Sequence, residues 1–398
     1  MSENVARRSF MTATAALALL AGFLVLFVGG GARFAIGLTL KPIVEHFNWD
    51  RSDLGLAVAA FQVVSAIAMF IAGYLADRTG PRPILIAGTL ISAVGIGFMS
   101  AVAAPWHALV LYGVIFAIGN GAASVVPVGV MVTRIFPDRT GLANSVAISG
   151  LSLGQLVMIG SSAAVLVTMS WQSVFVLLGL ANLAIVPLLF WAIPKTKVGP
   201  SASRPAVGMG VAEAARTRQF WLLLAVYAIC GFDDFFVSTH VVAFAQDRGF
   251  GTFVAGNLLA VMGLTALLGV FAAGAISDRL GPVWPTAVSF VARLLVFRLL
   301  MVDQSAVSVA IFALVFGATF LVTAPLTVLF VSEHFGTRHL GSLTGLITLV
   351  HHMCGGAGAY LGSAVFDSTG SYDVVFPVML GSSAIALLLV LPLRRSPS

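Results

Sequence analysis

The sequence has very little charge. Only 9% of its 398 residues are Asp, Glu, Lys or Arg, against roughly 25% in an ordinary soluble domain. Apolar residues make up 59% of the chain, and the mean hydropathy is +1.04. So few polar residues cannot cover the surface of a water-soluble globule. The composition therefore excludes a soluble protein and indicates a chain whose main solvent is lipid.

Cysteine is scarce as well, and the usual signatures of enzymes are missing. Cys230 and Cys354 each lie inside an apolar run, which excludes a disulfide framework, and neither has the neighbours of a metal site. The sequence contains no phosphate-binding loop that ends in Gly-Lys-Ser/Thr, so an ATP-driven pump is not indicated. We expect no catalytic residue, no metal and no cofactor.

Long apolar runs take the place of these features. A helix needs about 20 apolar residues to cross a bilayer, and twelve windows meet that need. They are 13–37, 54–76, 83–103, 107–132, 141–168, 172–193, 219–245, 253–276, 284–302, 305–331, 340–366 and 373–393. The longest gap is rich in Pro, Ser and basic residues. We therefore predict an N-terminal half at 1–193, a cytoplasmic linker at 194–218 and a C-terminal half at 219–398.

The positive charges orient the spans. If the N-terminus is cytoplasmic, most of the Lys and Arg residues fall in cytoplasmic segments, and only Lys41, Arg51 and Arg248 fall in outer ones. This bias is the positive-inside pattern, so the net charge of +6 needs no nucleic-acid partner. It predicts a multi-pass protein of a bacterial-type inner (plasma) membrane, with both termini cytoplasmic.

The chain contains an internal repeat. Residues 73–83 read Gly-Tyr-Leu-Ala-Asp-Arg-Thr-Gly-Pro-Arg-Pro after the second span, and a related segment, 274–285, follows the eighth. Gly, Asp, Arg, Gly and Pro match at one constant offset. The two copies are six spans apart, so both face the same side, and the chain is predicted to be a parallel six-plus-six duplication.

This repeat resembles the loop signature of the major facilitator superfamily, Gly-x-Leu-Ala-Asp-Arg-x-Gly-Arg-Arg. Pro81 replaces the first of the two final arginines, and Pro282 and Val283 replace both in the second copy. The resemblance implies an all-α polytopic membrane protein with 12 transmembrane helices in two parallel six-helix halves. Acids and arginines in such loops can form charge-assisted hydrogen bonds that break when the protein changes conformation. We predict gating roles for Asp77, Arg78, Asp278 and Arg279.

Three further stretches, 29–37, 236–244 and 367–372, resemble the monocarboxylate and oxalate–formate branch of that superfamily. This resemblance implies small organic anions as substrates. The chain departs from the branch in its eighth span. Residues 254–277 carry no charge, whereas the branch often has an arginine there that contacts the substrate carboxylate.

Ionisable side chains inside spans are costly and therefore mark functional candidates. Arg33 lies in the first span between Gly29 and Gly37, and its guanidinium suits a carboxylate substrate. The alternative is a structural ion pair with Asp233 or Asp234.

In the seventh span, Asp233 and Asp234 are adjacent, so one of the two could carry the coupled proton. His240 lies seven residues beyond Asp233 on the same helix face and could relay that proton or contact the substrate. The alternative is a static hydrogen-bonded network.

The remaining candidates are weaker. Asn120 continues a stripe of the fourth span, which lines the pathway in proteins of the resembled superfamily. His351 or its neighbour His352 could donate to an anion, and helix packing is the alternative. Arg293, in the ninth span, has no role that the sequence explains. The predicted substrate-binding set is Arg33, Asn120, His240 and His351.

Taken together, the sequence predicts a secondary transporter of small organic anions, namely a proton-coupled monocarboxylate symporter with alternating access. Its expected partners are a small organic anion, protons and the lipid bilayer, and the chain is expected to act as a monomer. Two alternatives stay open: an organic anion exchanger of the oxalate–formate type, and an exporter of a neutral or cationic small molecule.

Overall fold

The computed structural model describes residues 2–136, 140–193, 208–336 and 339–394. In these ranges the secondary structure is helical, apart from one isolated antiparallel bridge between Gly208 and Gly336. Helices dominate because every backbone polar group inside a bilayer must be satisfied within its own segment.

The helices of the first part of the chain are α1 (Ser2–Ala32), α2 (Ala35–Phe47), α3 (Arg51–Thr79), α4 (Pro81–Phe98), α5 (Pro105–Val110), α6 (Ala117–Ala122), α7 (Val125–Ile135), α8 (Thr140–Gly154), α9 (Gly160–Thr168) and α10 (Trp171–Ala192). A π-helical segment, Leu111–Phe116, joins α5 to α6, and a second, Gln155–Ile159, joins α8 to α9.

The remaining helices are α11 (Val211–Ala214), α12 (Arg218–Asp247), α13 (Thr252–Leu280), α14 (Val283–Val302), α15 (Ala306–Phe320), α16 (Thr323–Phe335), α17 (Leu340–Thr369) and α18 (Val375–Val390).

The predicted spans are recovered as helices. Within the described ranges, 10 segments are long and apolar enough to cross a membrane, and α15 with α16, which meet at a bend of 41°, make an eleventh. The one predicted window not among these, 340–366, corresponds to α17, a helix of 30 residues. It falls short in apolarity because two histidines and several glycines dilute its aliphatic residues.

The first span is longer than predicted. It runs from Ala13 to Phe47 through a short break at Arg33 and Phe34. Lys41 thus lies on a helix, and its expected position on the outer side stays a prediction. Its ammonium lies 2.8 Å from the Asp247 carboxylate, which offsets the cost of its charge.

The chain divides into two compact units: residues 1–35 with 64–200, and residues 36–63 with 201–398. The stretch 36–63 thus groups with the second unit, although the predicted N-terminal half contains it. Residues 194–207 of the predicted linker lie outside the described residues, so the linker stays a prediction.

Close approach of helices inside each unit depends on glycine. A Cβ on Gly154 would overlap the Phe27 carbonyl in the first unit, and a Cβ on Gly231 would overlap the His351 carbonyl in the second. Small residues allow such backbone contacts, which drive helix association where lipid supplies no hydrophobic force.

The two repeat copies share a backbone feature. Gly80 has φ 89° and Gly281 has φ 78°, a region that side chains with a Cβ rarely adopt. Each glycine ends a 29-residue helix, α3 or α13. The matching turns agree with the repeat that the sequence indicates.

Candidate functional site

The centre of the site is the middle of α12. Asp233 is fully buried and Asp234 is 2% exposed, and every residue from Asp233 to Ala245 is buried. This stretch of α12 therefore has no lipid-facing side. Charged groups held at such a position need partners within the protein.

Asp234 forms an ion pair with Arg293 of α14. Nη2 of Arg293 lies 2.6 Å from Oδ1 of Asp234. Nε and Nη2 of the same guanidinium donate to the Thr319 hydroxyl and carbonyl, at 3.1 and 3.2 Å. Thr319 is in the last turn of α15, and the negative end of a helix dipole favours a cation there. The pair accounts for Arg293, for which the sequence offered no role.

Asp233 has different partners. Its two carboxylate oxygens accept from the hydroxyls of Ser382 and Ser383 on α18, each at 2.9 Å. Ser382 also lies 2.9 Å from the Met379 carbonyl. The acidic pair is thus held from two sides, by a cation on α14 and by two hydroxyls on α18.

Cys230 and His351 border Asp234 on its other side. The Cys230 thiol lies 3.4 Å from Oδ2 of Asp234, and Nε2 of His351 lies 3.9 Å from the same oxygen. Ligand atoms of these three residues are all within 4.8 Å of one another, close enough for a metal. The Arg293 guanidinium on the same carboxylate opposes a second cation there, so the arrangement suits charge pairing better than metal binding.

The charges of this cluster do not balance. Asp233 and Asp234 bring two negative charges and Arg293 brings one positive charge. One bound proton, on a carboxyl or on His351, would make the cluster neutral. Because an uncompensated charge is costly in the buried interior of a membrane protein, the cluster is chemically able to bind and release one proton.

A second group of predicted residues lies in the first unit. Arg33 is half-buried at the break between α1 and α2, with its guanidinium 5.0 Å from the Phe34 ring centre. The Tyr112 hydroxyl, from the π-helical segment after α5, donates to the Arg33 carbonyl. The Asn120 amide donates to the Gly29 carbonyl at 3.2 Å. These two side chains fix the backbone that carries the guanidinium.

His240 lies in a separate network at the predicted outer end of α12. Its Nδ1 is 3.0 Å from the Tyr372 hydroxyl, and its Nε2 is 2.8 Å from the Ala359 carbonyl. Tyr372 accepts from Nη1 of Arg51 at 2.7 Å, so its own proton goes to Nδ1. Nε2 then carries the ring proton and donates to the carbonyl. His240 is therefore a neutral link in a closed chain of hydrogen bonds.

Arg51 joins this network to α2 and α17. Its guanidinium lies 2.8 Å from Asp247 and 3.6 Å from the centre of the Phe366 ring. Asp367 accepts from the backbone amides of Arg51 and Ser52 at 2.9 and 2.8 Å, and so caps the start of α3. Lys41 shares Asp247 with Arg51. We name this group, Lys41, Arg51, His240, Asp247, Asp367 and Tyr372, the outer network.

The other predicted residues are placed as follows. Nδ1 of His351 lies 3.2 Å from the Tyr227 carbonyl, and Nδ1 of His352 lies 3.1 Å from the Gln62 side-chain oxygen. Arg78 and Arg279 are exposed at the ends of α3 and α13. The side chains of Asp77 and Asp278 lie outside the described residues. Their gating roles stay predictions.

The structure thus brings Asp233, Asp234 and His351 together and places His240 apart from them. Sequence reasoning missed Ser382, Ser383 and Thr319, which partner the acids and Arg293, and also missed Tyr372 and Arg51. A weak signal existed for the serines, since two adjacent hydroxyls interrupt an otherwise apolar α18.

Known proteins resemble this chain over most of its length. The MFS-type transporter YcxA of Bacillus subtilis is 27% identical over 88% of the chain and 91% of its own length. Monocarboxylate transporter 13 of Rattus norvegicus is 24% identical over 91% of the chain and 85% of its own. The 3-(3-hydroxy-phenyl)propionate transporter of Escherichia coli is 26% identical over 66% and 64%.

A solved structure shows the same fold. The bacterial homologue of the human lysosomal transporter Spinster, in its inward-facing and occupied conformation, covers 96% of this chain and 98% of its own, with a TM-score of 0.75 at 17% identity. The family model of the Major Facilitator Superfamily matches residues 22–359 and 223–398. This match spans both repeat copies and the acidic cluster, and the chain belongs to the Major Facilitator Superfamily of membrane transporters.

Proposed function

We propose that this protein is a proton-coupled secondary transporter of small organic anions, with monocarboxylates as its substrates. The observation that carries the proposal is the membrane-buried cluster on α12, with two carboxylates and one guanidinium. A cluster with this composition is neutral only with one added proton. Loading and release of that proton would therefore change its charge during the transport cycle.

The anion would bind at Arg33. A guanidinium is always charged and can hold a carboxylate through two parallel hydrogen bonds. The break between α1 and α2 puts this cation beside backbone that Tyr112 and Asn120 hold in place. Binding would exchange the present contacts of the guanidinium for those of the substrate.

The relatives support the substrate class. One is named for monocarboxylates and another for an aromatic propionate, and both substrates carry a carboxylate. In this proposal the uncharged eighth span leaves Arg33 as the cation that selects anions. Asp77, Arg78, Asp278 and Arg279 would hold the predicted cytoplasmic end closed in one conformation and release it in the other.

The test is uptake of radiolabelled pyruvate and lactate into proteoliposomes, with and without an inward proton gradient. We expect accumulation above equilibrium only with the gradient. Arg33→Ala should reduce uptake to the level of empty liposomes, because the anion loses its counter-charge. Arg248→Ala is the matched control, since Arg248 is an exposed arginine paired with exposed Asp373, and it should transport normally.

Other outcomes would overturn parts of the proposal. Normal uptake by folded Arg33→Ala protein would refute the anion role of this residue. Uptake that depends on internal substrate and ignores the gradient would identify an exchanger. The absence of uptake in either condition would exclude both substrates and favour export, the activity in the name of a relative that is 28% identical, the Agnestins efflux protein AgnL12 of Paecilomyces divaricatus.

A further inference from the structure

The two adjacent acids of α12 have partners of opposite chemical character. Asp234 faces the Arg293 guanidinium, which has donors only. Asp233 faces the hydroxyls of Ser382 and Ser383, and a hydroxyl can donate or accept. Because of this difference, we expect the two acids to have different roles.

The guanidinium fixes Asp234 in its charged form. A proton on Oδ1 of Asp234 would point toward a guanidinium that cannot accept it, and a proton on either oxygen would remove the counter-charge that buried Arg293 contacts directly. Removing one partner of a buried ion pair is strongly unfavourable. Arg293 is fully buried and has further bonds to Thr319, so it cannot turn toward solvent.

The serines accommodate both forms of Asp233. When the carboxyl is ionised, both hydroxyls donate to it. When it is protonated, its own O–H can donate to Ser382, whose proton then goes to the Met379 carbonyl, already 2.9 Å away. Asp233, Ser382 and Ser383 each keep a hydrogen-bond partner in either form, so the change costs none of these bonds.

We propose that Asp233 carries the exchangeable proton of this transporter, and that Asp234 with Arg293 is a permanently charged pair that positions it. This inference rests on the proposed function and assigns to one residue a role that the sequence left shared by two. In the described part of the cluster, the other titratable groups near the acids are Cys230 on α12, Arg293 on α14 and His351 on α17; α18 contributes hydroxyls only.

The net charge of the cluster couples the bound proton to the conformational change. With Asp233 protonated, the cluster is neutral in its apolar surroundings. Without that proton it holds one unbalanced negative charge, which the buried interior of a membrane protein disfavours. The neutral cluster therefore moves through the conformational change more readily than the charged one, and substrate accumulation follows the proton gradient.

The first test separates the two acids by transport. Asp233→Asn keeps a side chain that can donate to and accept from the serines, and so mimics the protonated acid. It should retain exchange of labelled for unlabelled pyruvate, and its uptake in a proton gradient should fall to the level without one. The double variant Asp234→Asn/Arg293→Gln removes both members of the pair that positions Asp233, so it should slow uptake, while accumulation still requires the proton gradient.

The single variant Asp234→Asn is a poor test, because it leaves Arg293 unpaired and is expected to reduce folding. The double variant avoids this problem. Gradient-driven accumulation by Asp233→Asn would overturn the assignment. Loss of that accumulation by the folded double variant, with exchange retained, would overturn it equally.

A second test needs no substrate and therefore stays informative if pyruvate is not transported. Infrared spectroscopy of the purified protein detects the carbonyl band of a buried protonated carboxylic acid, and a pH titration follows its loss. The band should disappear in Asp233→Asn and persist in the double variant. A band that persists in Asp233→Asn and disappears in the double variant would assign the proton to Asp234 and refute the proposal, whatever the transport assays show.

Discussion

At the scale of single residues, hydrogen-bond chemistry decides roles that residue type alone leaves open. Tyr372 is an example, since its hydroxyl accepts from Arg51 and donates to His240. These two bonds link a cation, a phenol and an imidazole, all buried. The hydroxyl therefore matters more to this end of α12 than the ring does.

We expect Tyr372→Phe to destabilise the protein by about 1–3 kcal/mol, because it leaves one buried donor and one buried acceptor without a partner. Thermal unfolding of the purified protein in detergent measures the effect. Tyr360→Phe is the control, because Tyr360 is 38% exposed on α17, the helix that precedes Tyr372 in the chain. Equal shifts in the two variants would show that the hydroxyl of Tyr372 contributes nothing beyond its ring.

At this scale the sequence marked the charged residues inside spans but did not identify their partners. Arg293 was recognisable as a charge inside a span. Its partner Asp234 lies on another helix, and the residue pattern of α14 does not show which helix that is. His240 shares a helix face with Asp233, and the spacing suggested one site. Its partners Tyr372 and Ala359 instead come from distant segments. Pairing across helices depends on packing, which a single sequence does not specify.

At the scale of elements, α2 and the start of α3 are held by carboxylates from the second part of the chain. Asp247 serves both Lys41 and Arg51, and the Arg51 side chain is only 6% exposed. A shared, part-buried acid of this kind is harder to replace than a surface ion pair.

Asp247→Asn should destabilise the protein by more than about 1 kcal/mol, because it leaves the buried Arg51 guanidinium without its ion-pair partner and leaves Lys41 with only Glu45, 3.7 Å away. Asp373→Asn, which breaks the exposed pair with Arg248, should cost less than about 1 kcal/mol. Thermal unfolding in one detergent compares the two. A shift for Asp373→Asn as large as that for Asp247→Asn would contradict the ranking.

Helix contact through glycine gives a second prediction. Gly231→Ala places a Cβ on the His351 carbonyl and should abolish the folded peak in size-exclusion chromatography. Gly345→Ala, on α17, meets no atom within 4 Å, and should leave stability unchanged or raise it by up to about 1 kcal/mol through helix propensity. A folded Gly231→Ala protein of normal stability would show that α12 and α17 tolerate a wider separation.

Elements were largely predictable, because apolar length and turn residues determine them. The exceptions have local causes. Lys41 and Pro42 concealed the continuation of the first span, since their cost is offset by Asp247 and by surrounding helices. The π-helical segments at Leu111–Phe116 and Gln155–Ile159 carry no composition that marks them. The bend between α15 and α16 does have a sequence signal, since Pro325 begins the second segment and a proline disfavours helix at the residue before it.

At the scale of the whole molecule, the charge distribution makes a prediction about orientation. Gly251 precedes α13 and Gly341 lies at the start of α17, and a side chain at either position meets no atom within 4 Å. The positive-inside pattern puts Gly251 outside and Gly341 in the cytoplasm. The two positions are therefore a matched pair of reporters.

We expect a membrane-impermeant maleimide to label Gly251→Cys in intact cells, and to label Gly341→Cys only after the membrane is opened. The unsubstituted chain reports any background from Cys230 and Cys354. Labelling of Gly341→Cys in intact cells, with Gly251→Cys protected, would invert the topology and place the outer network on the cytoplasmic side.

The composition of α17 also bears on how the protein is made. Its histidines and glycines give it less affinity for lipid than the other long helices have, and a translocon inserts segments according to that affinity. Glycines also bring it close to α12: Gly358 of α17 meets the Phe232 carbonyl, and Gly231 of α12 meets the His351 carbonyl. Ribosomes complete α12 well before α17, so the partner is already in the bilayer when α17 emerges. The eleventh span, α17, is therefore expected to enter the membrane paired with α12. In a nascent chain without α12, we expect α17 to fail to insert and to remain on the cytoplasmic side.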